Sequence, residues 1–274
     1  MVSAVTFDWA GVLSGPPLQW LVTGVATTVA VSVAGAIGAS VLAVVIVGLR
    51  ISRFLPAEGL AVGIIALFRN SPLLVQFFFW YFAAYSLLPQ GFRDWVNEDH
   101  VWGTLPGGVI IASPEFICAA WGLAIFGAVF LAEELRAGLA AVPRGQREAA
   151  EAQGLSGVQV LIAVLLPQGF ANAWQPIVGQ YLNIMKLSSL ATAIGLSEIT
   201  YEVRQIESYN AHAFEAFAVG TLLYLSLGLI IGFVLTRLGP SPAGAVHRRP
   251  TPQDAADEAI DPETALVARE AGHG

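Results

Sequence analysis

The segment RGQREAAEAQGLSGVQVLIAVLLP, residues 144–167, is a long polar stretch set between strongly apolar parts of the chain. Its first half, residues 146–153, is dense in Ala, Glu, Arg and Gln, which favour a helix, and Gly154 is placed to end that helix in a left-handed turn. Ser156 and Gln159 have the spacing of a capping box, which predicts a second helix that turns apolar and reaches a proline. We therefore predict two short helices broken at Gly154, forming a surface on which a soluble partner docks.

Charges on the first of these helices are spaced for pairing. Arg144 with Glu148, and Arg147 with Glu151, are four residues apart, so each pair can form along the exposed side of a helix. The alanines between them, Ala149, Ala150 and Ala152, leave a surface without bulk. Such a helix can lie close in a groove of another protein.

The composition places this segment in a membrane protein. The chain has 274 residues, of which 55% are hydrophobic and 12% charged, and its mean hydropathy is +0.66. These values predict a polytopic membrane chain with one compact body. The net charge of −7 does not indicate nucleic-acid binding, because the acidic residues gather in the C-terminal tail and in polar loops. The single cysteine, Cys118, excludes an internal disulfide, and four scattered histidines give no metal-ligand spacing, so we predict no metal site.

Enzymatic motifs are missing from the sequence. Lys186 is the sole lysine and is followed by Leu187, so the phosphate-binding G-x-x-x-x-G-K-[ST] loop cannot form. Neither H-E-x-x-H nor G-x-S-x-G is present. We therefore predict that the chain is not an enzyme and that any ATP hydrolysis belongs to another polypeptide.

Five apolar segments are long enough to span a membrane, and they predict an all-α fold. They are residues 21–49, 54–88, 116–132, 169–186 and 216–236. The second is too long for one straight span and is interrupted at Arg69, Asn70, Ser71 and Pro72, where we expect a kink or break. We assign residues 1–19 to an outer N-terminal arm, 20–237 to a transmembrane domain with a cytoplasmic loop at 140–167, and 238–274 to a disordered acidic tail.

Five spans put the two termini on opposite sides of the membrane. Arg93 and Arg204 then fall on one side, against a much larger set of arginines on the other. By the positive-inside rule the second side is cytoplasmic, which places the N-terminus outside and the C-terminus and the 140–167 loop inside. The cytoplasmic set is Arg50, Arg53, Arg136, Arg144, Arg147, Arg237, Arg248 and Arg249.

The polar stretch follows the pattern EAA, three residues, Gly154, nine residues, Val164, one residue, Leu166 and Pro167. This pattern resembles the EAA loop of membrane subunits of binding-protein-dependent ABC importers. The segment FRNSPLLVQ resembles RGTPLLVQ of the polar amino acid permeases within that superfamily. Lys186, Ser188 and Ser189 resemble their K-[DN]-[ST]-[ST]-L signature, although Leu187 replaces the usual acidic or amide residue.

The segment VFLAEELRAG resembles the family's AAYxAExxRGG sequence, with Phe130 in place of the usual tyrosine. Glu133 in this segment has two possible roles. It is a carboxylate paired with Arg136 at a helix end, or it helps to hold the gate region.

The resemblance implies the five-helix core of the type I ABC importer permease fold. It further implies two permease subunits, identical or paralogous, a dimer of ATPase subunits that carries ATP and magnesium, and an external solute-binding protein that delivers a polar amino acid such as glutamate or glutamine. The implied coupling residues are Glu148, Ala149, Ala150, Gly154, Leu155 and Pro167. The candidates for the substrate pathway are Arg69, Pro72, Lys186, Ser188 and Ser189.

Some alternatives remain open from the sequence. Arg69 is either an interfacial anchor that reaches lipid headgroups or a cation lining the substrate path. An ion-gradient-driven transporter would show internal repeats and paired ionisable residues within the membrane, and neither is evident here. A non-transporting scaffold fits the composition but leaves the EAA spacing unexplained.

Overall fold

The computed structural model describes residues 7–51, 55–98, 100, 103–105 and 107–240, and the regular secondary structure of this part is helical apart from one short hairpin. The helices are α1 (Ala10–Leu13), α2 (Gly15–Ile51), α3 (Leu55–Arg69), α4 (Leu73–Phe78), α5 (Gln90–Asn97), α6 (Pro114–Ala140), α7 (Arg144–Ala152), α8 (Gly157–Val160), α9 (Leu166–Leu187), α10 (Ile199–Asn210) and α11 (Ala213–Leu238). The antiparallel hairpin pairs β1 (Thr104–Leu105) with β2 (Val109–Ile110). Turns of π-helix occupy Phe79–Ala84 and Leu161–Leu165, and turns of 3-10 helix occupy Tyr85–Leu87 and Ser188–Ile194.

Four helical stretches of the described chain are long and apolar enough to cross a membrane. They are Gly15–Ile51, Pro114–Ala140, Gly157–Ile194 and Ala213–Leu238. Leu55–Arg69 and Leu73–Leu87 are bent by 102° relative to each other, and they form either a fifth, broken span or a re-entrant loop. The predicted all-α polytopic fold is therefore confirmed, with four or five spans, and the helical chain bends where we expected a break.

The first spanning helix begins within the segment that we assigned to the N-terminal arm, residues 1–19. Helix α2 starts at Gly15, and Pro16 and Pro17 occupy its first turn. Proline fits there because the first backbone N–H groups of a helix have no partner inside the helix. Residues 1–6 and 241–274, and with them nearly all of the predicted tail, lie outside the described residues.

The break in the second span lies at Pro72, as predicted. Its backbone is extended, with φ −61° and ψ 134°, between helices α3 and α4. Gln76 closes the break from the second half, because its Nε2 donates to the Phe68 carbonyl at 3.1 Å, the Ser71 carbonyl at 3.2 Å and the Ser71 hydroxyl at 2.9 Å. These bonds satisfy carbonyls that the proline leaves without a helical partner.

The core is centred on α2 and α6, which approach closely through small residues. A Cβ at Gly35 would lie 2.8 Å from the Leu123 Cβ, and one at Gly38 would lie 2.7 Å from the Ala124 Cβ. Glycines at these two positions therefore allow the helix backbones to come near each other, which is a common device in membrane bundles. Leu123, Val129 and Leu131 of α6 are buried in this core.

One sequence expectation about the fourth span was wrong. The helix that follows the capping box does not end at Pro167, and the span does not begin at residue 169. Instead α8, the π turn Leu161–Leu165 and α9 form one stretch that reaches from Gly157 toward Ile194. The wide π turn accommodates Pro167, which needs no i−4 hydrogen bond at the start of α9, and Pro176 also lies inside α9. The capping-box helix and the fourth span are therefore continuous.

The segments predicted as polar loops contain ordered elements. The described residues between 89 and 115 include α5, the hairpin and the capped start of α6, where the Ser113 hydroxyl accepts from the Phe116 N–H at 3.2 Å. The predicted turn at Gly107 and Gly108 is present, with φ +92° and +80°. Helix α10 packs against α2 and α11 through buried Ile199, Val203 and Ile206.

Candidate functional site

Helix α7 carries the predicted docking residues and ends as the sequence predicts. Gly154 has φ +85°. Its N–H donates to the Glu151 carbonyl at 2.9 Å, and the Leu155 N–H donates to the Ala150 carbonyl at 3.2 Å. This pair of bonds is the Schellman arrangement, which terminates a helix through a left-handed residue. Ser156 then forms the predicted capping box, with its N–H donating to Gln159 Oε1 at 2.8 Å.

One face of α7 is packed and the rest is open. Ala150 is only 5% exposed, and α7 packs against the π turn Leu161–Leu165. Glu148, Ala149 and Gly154 are exposed, and a Cβ at Gly154 would meet no described atom within 4 Å. Leu155 is half-buried. Ala150 therefore fixes the helix to the body, while its neighbours present a surface of low bulk.

The two predicted ion pairs on α7 have different outcomes. Arg147 Nε donates to Glu151 Oε1 at 2.8 Å, as predicted. Within the described residues no ion pair joins Arg144 to Glu148. Both residues are exposed, so the Glu148 carboxylate adds negative charge to the open face.

The helices before and after α7 cross with almost no space between their backbones. A Cβ at Gly138 of α6 would overlap the carbonyl oxygen of Gly169 on α9, and a Cβ at Gly169 would lie 2.9 Å from the Leu139 Cα. Asn172 adds a hydrogen bond from its Nδ2 to the Gly138 carbonyl at 3.3 Å. Pro167, exposed at the start of α9, lies two residues from this crossing. The helices that lead into α7 and out of it are therefore joined to each other by this tight crossing.

Glu133 joins two spanning helices at this end of α6. It forms an ion pair with Arg50 near the end of α2, and Arg136 of its own helix donates to it at 3.0 Å. The predicted pairing with Arg136 is thus present. Sequence spacing could not identify Arg50, because it lies 83 residues away and reaches Glu133 only through the packing of α2 on α6.

The substrate-pathway candidates lie in two segments that the fold brings together. Helix α4, which follows Arg69 and Pro72, packs against the 3-10 turn Ser188–Ile194, which follows Lys186. Arg69 is exposed, and its guanidinium carbon lies 5.9 Å from the centre of the Phe130 ring. Pro72 and Lys186 are also exposed.

The hydroxyls of the two serines in the second segment donate hydrogen bonds to backbone carbonyls. Ser188 is fully buried, and its hydroxyl donates to the Met185 carbonyl at 2.7 Å. Ser189 is half-buried and donates to the Lys186 carbonyl at 2.8 Å. Both bonds end helix α9 as it tightens into the 3-10 turn, so in this conformation Ser188 supports the turn.

Two groups of polar residues were not identified from the sequence as site residues. Gln76 is 5% exposed and its Oε1 accepts no hydrogen bond within the described chain. Glu198 and Glu202 are both buried, although they occur in a segment that reads as a polar loop. A glutamine inside the apolar run PLLVQFFF was a usable signal for the first group. The second offered none, because the burial of α10 depends on tertiary packing.

Four long apolar helices, a bent pair that can supply a fifth span, and an exposed polar helix between two tightly crossing spans define a polytopic membrane subunit. The chain belongs to the binding-protein-dependent transport system inner membrane component family, whose model matches residues 40–243, and it is a permease subunit of the ABC importer class.

Proteins similar in sequence to this chain are described as permease subunits of the same kind. It is 32% identical over 241 residues to the glutamate/aspartate import permease protein GltJ of Escherichia coli K12, covering 85% of this chain and 94% of the relative. It is 28% identical over 232 residues to the glutamine transport system permease protein GlnP of the same organism, covering 85% and 96%. A solved structure described as an amino acid ABC transporter with histidines has the same fold, with a TM-score of 0.69, 21% identity, and coverage of 85% of this chain and 98% of that chain. The sequence-based recognition and the type I permease fold are confirmed.

Proposed function

We propose that this chain forms part of the translocation path of an importer for a polar amino acid such as glutamate or glutamine, and that a separate ATPase dimer drives it through α7. A second permease subunit, identical or paralogous, completes the path, and an external solute-binding protein delivers the substrate. ATP and magnesium bind the ATPase subunits, because this sequence has no phosphate-binding loop.

The proposal rests on how α7 is attached to the spanning helices. Its exposed face carries Glu148 and Ala149, and its buried Ala150 fixes it to the continuous stretch that becomes α9. A closing ATPase dimer that pushes on α7 would therefore move α6 and α9 with it. A rigid-body shift of this kind converts closure of the ATPase dimer into the change from an inward-open to an outward-open path.

The orientation follows from the arginines. With α7 in the cytoplasm, where ATP is available, Arg50, Arg136 and Arg237 lie on the same side as α7. The N-terminus is then outside, and α5, the hairpin and α10 face the binding protein.

The substrate class rests on the relatives and on the two segments beside the helix break. Arg69 and Lys186 are the cationic side chains in these two segments, and either could pair with the carboxylate of an amino acid substrate. Selection among amino acids would be shared with the external binding protein.

The proposed docking is tested by cross-linking in cells. The native Cys118 is buried, so a Cys118→Ser chain with Ala149→Cys offers one exposed thiol on α7. The matched control is Gly91→Cys on α5, at the opposite end of the bundle. We expect Ala149→Cys, and not Gly91→Cys, to cross-link to a protein labelled by azido-ATP. Equal labelling at both positions, or none at position 149, would overturn the proposal.

A further inference from the structure

A polar cavity lies at the end of the bundle opposite α7, where α10 and the hairpin meet α2 and α6. Its volume is about 200 Å³, enough for roughly six waters at ~30 Å³ each. The side chains that supply its polar lining are Thr23, Thr27, Ser113, Glu115, Ser197 and Glu202. Among the residues that the structure describes, no Lys, Arg or His lines it. The cavity therefore offers oxygen atoms and no positive charge.

Glu202 is the decisive group in this cavity. It is 4% exposed, and its Oε2 is buried and accepts no hydrogen bond from any described residue. A carboxylate left in this way costs free energy, which a bound positive charge would offset. The neighbouring Glu198 differs, because its carboxylate accepts from the Tyr201 N–H at 2.9 Å and from the Tyr224 hydroxyl. Of the two carboxylates, only that of Glu202 has a buried oxygen, Oε2, with no donor among the described residues.

The backbone beneath Glu202 is shaped to hold it there. A Cβ at Gly24 of α2 would lie 3.0 Å from the Glu202 Cγ, so glycine at this position leaves room for the side chain. Thr27, one helical turn further along α2, is 4% exposed and faces the same cavity. Glu115 contributes a second carboxylate, one oxygen of which accepts from the Tyr81 hydroxyl at 2.6 Å.

We propose that this cavity binds a monovalent cation, either a hydrated alkali ion or a primary ammonium group, with Glu202 as its counter-ion and the surrounding hydroxyls as further ligands. Hydroxyl and carboxylate oxygens suit such ions. A divalent ion would require more carboxylates, and the described residues contain no cluster of three acidic or other metal-ligating side chains. Both candidate ligands are compact positive charges. The alkali ion is coordinated by oxygen atoms, and the ammonium group donates N–H hydrogen bonds to them.

The test uses the purified full chain and measures Tm at pH 8, where Glu202 is charged. Sodium chloride and methylammonium chloride are titrated separately against choline chloride at equal ionic strength, because choline has no N–H donor. We expect a saturable rise in Tm of several degrees with at least one of the two probes, over choline. A rise with sodium alone identifies an alkali-ion site, and a rise with methylammonium identifies an ammonium site.

Two variants connect that rise to the cavity. Glu202→Gln keeps the shape and removes the charge, and it should abolish the rise, whereas Glu207→Gln on the same helix should retain it. If Glu202→Gln does not fold, Thr27→Val should weaken the apparent affinity several-fold. No rise in the wild-type chain, or an unchanged rise in the cavity variant, would overturn the proposal. The readout does not involve uptake, so the result is independent of the proposed function.

Discussion

Gly138 of α6 and Gly169 of α9 are in direct backbone contact, so that neither position has space for a Cβ. This crossing lies between the helix that leads into α7 and the helix that leaves it. A force applied to α7 would therefore reach two spanning helices through a junction at which their backbones touch.

Substitution at the crossing should weaken the fold. Gly138→Ala places a methyl group against the Gly169 carbonyl and the Ala173 Cβ, and neither belongs to a flexible side chain. We expect a loss of about 1–3 kcal/mol in the free energy of unfolding, the usual cost of overpacking. Chemical denaturation in detergent measures it.

Gly179→Ala is the matched control for this change. It lies on α9, where a Cβ would have no neighbour within 4 Å in the part of the chain that the structure describes. Alanine favours a helix over glycine by about 0.5–1 kcal/mol, so this variant should be as stable as the wild-type chain or slightly more stable. If both alanine variants behave alike, the close crossing does not contribute as we describe.

The second prediction concerns Arg69 and the substrate path. If Arg69 meets the substrate carboxylate, Arg69→Ala should raise the substrate concentration for half-maximal uptake about tenfold, equivalent to ~1.4 kcal/mol. Arg69→Lys should recover part of this loss because it keeps the charge. Uptake kinetics with labelled glutamate or glutamine provide the measurement. Unchanged uptake in Arg69→Ala would support its role as an interfacial anchor beside Phe130.

Lys186 provides an independent test of the same path. It is exposed at the end of α9, and its segment packs beside α4. Lys186→Gln should reduce uptake without changing the amount of protein in the membrane. The control is Arg204→Gln, an exposed cation on α10 at the far end of the bundle. Equal losses in both variants would exclude a specific role for Lys186.

The fourth prediction is a pH dependence of stability that arises at α10. Burial raises the pKa of Glu198 from 4.5 to about 7, although hydrogen bonds from Tyr224, Thr200 and Tyr201 oppose the rise. Burial and then the charge of Glu198 raise the pKa of Glu202 to about 7. The folded chain therefore holds protons that the unfolded chain releases above pH 4.5. Their contribution to stability is fully present below that pH and is lost as pH rises to about 7.

Melting curves between pH 4.5 and 8 check this prediction. We expect Tm to fall through that interval in the wild-type chain and to fall less in Glu198→Gln and Glu202→Gln. Glu207→Gln serves as the control on the same helix and should follow the wild-type curve. A wild-type Tm that rises with pH would contradict the sign that we derive.

Local chemistry explains which features could be predicted from the sequence. The end of α7 was predictable because Gly154, Ser156 and Gln159 determine their conformations through bonds to residues within five positions of them. The break at Pro72 was predictable for the same reason. By contrast, the helix runs on through Pro167 because a π turn precedes it, and single-residue preferences do not indicate such a turn.

Long-range packing explains the remaining differences. Arg50 meets Glu133 only because α2 and α6 lie side by side. The buried state of Glu202 likewise requires Gly24, which lies far away in the sequence. Polar residues in α10 therefore read as a loop, although the folded chain buries two of their carboxylates.

The central claim is that α7 transmits ATPase closure to the spanning helices, and the ratio of amino acid uptake to ATP hydrolysis in Gly154→Asp tests it most directly. The assay uses the whole importer in proteoliposomes. One control is Gly154→Asn, which tolerates a positive φ as Asp does but carries no charge. The other is Gly91→Asp, which places the same charge far from α7. We predict that Gly154→Asp still reaches the membrane and hydrolyses ATP but loses most of its uptake, while both controls keep the wild-type ratio. A wild-type ratio in Gly154→Asp would contradict the claim.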